Sequence, residues 1–76
     1  MKRAIFIDGR RDGYHPNQCS NTMTVAELRS LLDNFNEEDE VFIINDNGYT
    51  YGSISPDSFS HGEYNSESVF IDGEEV

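Results

Sequence analysis

The chain has 76 residues, a formal net charge of −10 and a mean hydropathy of −0.64, so it is one small domain at most. Its 18 Leu, Ile, Val and Phe residues suffice for a fold, and its single cysteine, Cys19, excludes both an internal disulfide and a zinc site built on cysteine pairs. From Ser30 to Val76 there is no lysine or arginine against twelve carboxylates, which excludes a nucleic-acid-binding surface there and points to a basic partner.

Ala4–Asp8 is a β-branched and aromatic run that ends at Asp8-Gly9, and it predicts a first strand over residues 4–8. Its apolar stretch is too short for a secretory signal. No segment approaches the roughly 18 apolar residues of a membrane span, so the cytoplasm is the expected location. Residues 10–21 are rich in turn formers and read as a loop. Thr24-Val25-Ala26-Glu27 fits a capping box, and Val25, Leu28, Leu31, Leu32 and Phe35 recur at helical spacing. Together they predict a helix from Val25 to Asn34 or Phe35.

Glu37-Glu38-Asp39-Glu40 is a solvated acidic connection to a second strand near residues 41–45, whose Val41–Ile44 run is wholly apolar. Asn47-Gly48 predicts a hairpin into a third strand near 49–54. Residues 55–67 read as a polar loop and 68–72 as a last strand. Ile5–Gly9 and Val69–Gly73 share the order apolar, Phe, Ile, Asp, Gly, which is expected of two strands ending in the same kind of turn. The fold expected is therefore α+β over residues 1–76: one helix on a sheet of about four strands, in β-α-β-β-β order and two layers. The expected core is Ile5, Ile7, Val25, Leu28, Leu32, Phe35, Phe42, Ile44, Ile54 and Phe70.

Catalytic patterns fail on inventory. His15 and Cys19 share a loop that offers no lysine or helix start to activate a thiol. The run from Asp8 puts Gly13 at the sixth position of a calcium loop, but Arg10 stands where a third-position oxygen ligand is required and Cys19 where the bidentate glutamate belongs. A chain this short does not wall a deep, dry cleft. No enzyme, metal or cofactor is expected, and any self-association is expected to run through a sheet edge or apolar patch, giving a homodimer.

The working part is expected to be the acidic surface. Carboxylates accept arginine forks as phosphates do. Glu37, Glu38, Asp39, Glu40, Asp46, Asp57, Glu63, Glu67, Asp72, Glu74 and Glu75 are the candidate partner-binding acids, and Tyr49, Tyr51 and Tyr64 the aromatic anchors. Such a surface suits a basic, nucleic-acid-binding protein, with the carboxylates standing in for DNA. The first alternative is an adaptor that docks by an apolar face or by loop 10–21 while its acids serve solubility, and the second, ranked last, is a small acid-dependent enzyme. The run from Thr22 to Ile54, TMTVAELRSLLDNFNEEDEVFIINDNGYTYGSI, resembles small phage- and prophage-encoded proteins with a Met-Thr-Val-x-Glu-Leu helix, an acidic turn, a strand and a hairpin. By type these are similar to anti-CRISPR and other anti-defence inhibitors. The resemblance implies a host protein bound stoichiometrically in the host cytoplasm, and no signature residue.

Overall fold

The computed structural model describes all 76 residues, and the chain divides into two units: Met1–Arg10 with Asn21–Ile54, and Arg11–Ser20 with Ser55–Val76.

In the first unit β1 (Ala4–Asp8) lies parallel to β2 (Glu40–Asn45), with Ala4 beside Glu40 and Asp8 beside Ile44. β3 (Thr50–Ser53) pairs antiparallel to β2, from Phe42 beside Ser53 to Asn45 beside Thr50. The strand order β1-β2-β3 leaves β1 and β3 as edges. Alternation puts Phe6, Phe42, Ile44 and Tyr51 on one face and Ile5, Ile7, Val41 and Ile43 on the other. On the first face the Phe6 and Phe42 rings stack with centroids 5.8 Å apart, and Tyr51 meets Phe6 edge-on at 6.0 Å. The β2–β3 turn places Asp46, Asn47 and Gly48 in succession at φ 51°, 55° and 91°. Asparagine and glycine adopt this left-handed region at least cost, which is why Asn-Gly marks the hairpin.

α1 (Val25–Leu32) joins β1 to β2. It opens on the expected capping box: Thr24 Oγ1 accepts from the Glu27 amide at 3.2 Å, and Glu27 Oε1 accepts from the Thr24 amide at 3.0 Å. It stops at Leu32, short of the expected Asn34 or Phe35. There the amides of Asp33, Asn34 and Phe35 turn to the carbonyls three residues back, tightening the last turn.

In the second unit β4 (Gly62–Tyr64), β5 (Val69–Ile71) and β6 (Glu74–Glu75) form an antiparallel meander. Short 3₁₀ turns cover Pro16–Gln18 and Pro56–Ser58. Asn65 Oδ1 accepts from the Glu67 and Ser68 amides, both at 2.9 Å, and so shapes the β4–β5 turn. Asp72 and Gly73, at φ 52° and 84°, make the two-residue turn into β6.

Three expectations need correction. The strands do not form one four-stranded sheet: β5 pairs with β4 and β6, giving two sheets of three strands. β4 and β6, of three and two residues, are too short to leave a periodic trace in the sequence. The Asp-Gly echo is not one kind of turn either, since only Asp72-Gly73 enters the left-handed region. Finally, no residue is buried. Ile5, Phe42, Ile44, Ile54 and Phe70 are half-buried, but Ile7, Val25, Leu28, Leu32 and Phe35 are exposed. α1 does not pack on the sheet as the expected second layer, since no strand makes more than marginal contact with it, and its apolar stripe therefore stays exposed.

Candidate functional site

Each expected acid can be placed by the element that carries it. After α1, Asn36 Oδ1 accepts from the Glu38 amide at 2.9 Å and the Asn36 carbonyl from the Asp39 amide at 3.0 Å. This local turn leaves Glu37 and Glu38 exposed while Asp39 is half-buried, and Glu40 begins β2. Asp46 lies in the β2–β3 turn, where its Oδ2 is 3.5 Å from the Thr50 hydroxyl that donates to it. Tyr49 and Tyr51 are exposed beside it, Tyr51 as part of the Phe6–Phe42 cluster. Glu37–Glu40, Asp46, Tyr49 and Tyr51 therefore all belong to the first unit.

The second unit holds Asp57, Glu63, Tyr64, Glu67, Asp72, Glu74 and Glu75, with Arg11 as its one cation and Asp12 as a further acid. The meander register orders them. Glu63 on β4, Phe70 on β5 and Glu75 on β6 are cross-strand neighbours and form one row. Neighbouring strands lie about 4.8 Å apart, so the two carboxylates stand roughly 10 Å apart with an aromatic ring between them. The next row is Gly62, Ile71 and Glu74. Asp72 is held at the turn by its amide, which donates to the His61 carbonyl at 2.8 Å.

An open cavity of about 210 Å³ sits here, lined by His61, Gly62, Glu63, Phe70, Asp72 and Gly73. Its wall depends on Gly62, where a Cβ would lie 2.6 Å from the Phe70 carbonyl oxygen. Its two carboxylates, Glu63 and Asp72, stand with Phe70 in one lining, a set whose chemistry suits a guanidinium or ammonium group, because an aromatic face and acids both attract a cation. No group of three or more His, Cys, Asp and Glu side chains is arranged to hold a metal ion.

Sequence reasoning missed His61 and Phe70 as site residues. Phe70 read as core, and His61 carries no signal until the register of β4 on β5 is known. It also missed the order in residues 10–21. His15 Nδ1 accepts from the Asn17 amide at 3.0 Å, and Gln18 Oε1 accepts from the amides of Tyr14 and His15. The His15 ring packs edge-to-face on Tyr64 at 6.0 Å, with Nε2 enclosed and without a hydrogen-bond partner. Cys19 closes this turn and is exposed. Pro16 followed by Gln18 was the available signal, since proline favours a first helical position and glutamine can reach back to a cap amide.

No helix is long and apolar enough to cross a membrane. Neither a protein-family model, nor a curated protein, nor a solved structure matches the chain.

Proposed function

We propose that this protein is a non-enzymatic inhibitor that binds the basic, nucleic-acid-binding surface of a host defence protein of the CRISPR-Cas type in the host cytoplasm. Its carboxylates occupy the positions that phosphates would take. The observation that carries the reading is the cavity lined by Glu63, Phe70 and Asp72, with Glu75 beside Phe70 in the same cross-strand row; it suits one arginine or lysine side chain of the partner. The exposed acids of the Glu37–Glu40 turn extend the negative field over the first unit. The exposed Phe6 and Tyr51 favour a second reading, in which an aromatic sheet face docks the partner and the acids serve solubility.

Two measurements separate these readings. Pull-down from a host lysate, identified by mass spectrometry, supplies the partner. Its affinity is then measured from about 50 to 200 mM salt with duplex DNA as competitor. A complex that neutralises six or more charges is expected to weaken about 1,000-fold or more across that range. DNA is expected to displace the protein. Glu63→Gln with Glu75→Gln, or the set Glu37→Gln, Glu38→Gln, Asp39→Asn and Glu40→Gln, is expected to slow association. Binding that survives salt and both sets, with DNA bound alongside, overturns the proposal in favour of the aromatic face.

A further inference from the structure

β1 is an edge strand with no strand on its outer side. It is short and apolar, contains no proline or lysine between Ala4 and Asp8, and leaves Phe6 and Ile7 exposed, so nothing in the strand itself guards against another strand.

We propose that β1 pairs antiparallel with β1 of a second copy about a two-fold axis at Ile5, joining the two sheets of the first unit into one six-stranded sheet. A two-fold interface must be self-complementary, and this segment is so in one register. With Ile5 opposite Ile5 of the second copy, Lys2 faces Asp8 and Asp8 faces Lys2, so opposite charges meet twice. Ala4 then faces Phe6, small against large, and Arg3 faces Ile7. The neighbouring registers lack this match. An axis at Phe6 sets Lys2 against Arg10, and an axis at Ile7 sets Arg3 against Arg11, both like-charged pairs.

Light scattering of the full chain at about 100 μM, where mass action favours association, should give twice 8.7 kDa. In a Cys19→Ser background, Ile5→Cys should form an interchain disulfide on mild oxidation, because residues opposite one another on paired strands are about 4.5–5.5 Å apart. Ile7→Cys should stay reduced, its two copies being offset by four residues, roughly 13 Å. At the exposed ends, Lys2→Asp or Asp8→Lys alone turns two attractive pairs repulsive and should raise the dimer dissociation constant about tenfold. The double swap should restore it. A monomeric mass at that concentration overturns the proposal. So does a dimer that cross-links through Ile7→Cys and not Ile5→Cys, or one indifferent to both single swaps.

Discussion

Glu27 shows how one hydrogen-bonded carboxylate records the state of a helix. Its carboxyl is held below the ordinary carboxylate range, first by the hydrogen bond from the Thr24 amide and then by that from the Thr24 hydroxyl. Both bonds favour the ionised form, so the native pKa is depressed relative to the unfolded chain. The stabilisation is therefore fully present above the unfolded carboxylate value and is lost as pH falls through the lower native one. By NMR titration, the Glu27 midpoint should lie below the usual glutamate value, and Thr24→Ala should move it upward while lowering helix stability by about 1 kcal/mol. A midpoint unmoved by Thr24→Ala would sink this account. The box was legible in the sequence because all its partners lie within four residues. The related arrangement at His15 and Gln18 was not, because it uses an imidazole nitrogen where a hydroxyl or carboxylate is usual.

Elements were legible in proportion to how local their causes are. β1 was read to the residue, and β2, β3 and α1 nearly so, from β-branched runs, Asn-Gly and the helical stripe. β4 and β6 were not, because their existence depends on pairing with β5 rather than on their own composition. The site follows the same rule: its acids were evident as a list, but the row that joins Glu63 and Glu75 through Phe70 exists only in the register. Two glycines of this meander separate the causes of its geometry. Gly62 is required by space, since a Cβ there would press on the Phe70 carbonyl, whereas Gly73 has open space and is required by its φ of 84°. Gly73→Ala should cost about 1–2 kcal/mol, the penalty of a left-handed L-residue. Gly73→Asn should recover part of this because asparagine tolerates that region. Gly62→Ala should cost more and weaken amide protection along β4 and β5, since the obstacle is backbone that cannot turn aside. Hydrogen exchange resolves the two: equal, small losses for both variants would contradict the spatial role of Gly62.

For the molecule as a whole, the charge proposed to meet a basic partner also opposes folding. A net charge of −10 on 76 residues, with no residue buried, leaves little apolar burial to offset mutual repulsion among the carboxylates. Salt screens that repulsion, the screening length falling from about 30 Å at 0.01 M to about 10 Å at 0.1 M. Tm should therefore rise with sodium chloride over this range, by about 4–8 °C for each kcal/mol of repulsion relieved in a domain of this size. The set Glu37→Gln, Glu38→Gln, Asp39→Asn and Glu40→Gln removes four charges, taking the net charge from −10 to −6, and should shrink the salt increment. The salt dependences of stability and of partner binding then run in opposite directions, because salt relieves the repulsion that a basic partner would otherwise relieve. A partner that neutralises these acids should accordingly raise Tm most at low salt, where the unrelieved repulsion is greatest. Thermal scans of the protein with and without its partner, at several salt concentrations, test both halves. A Tm that falls as salt rises would show that ion pairs, not repulsion, dominate the folded state and that the acidic surface is already satisfied without a partner.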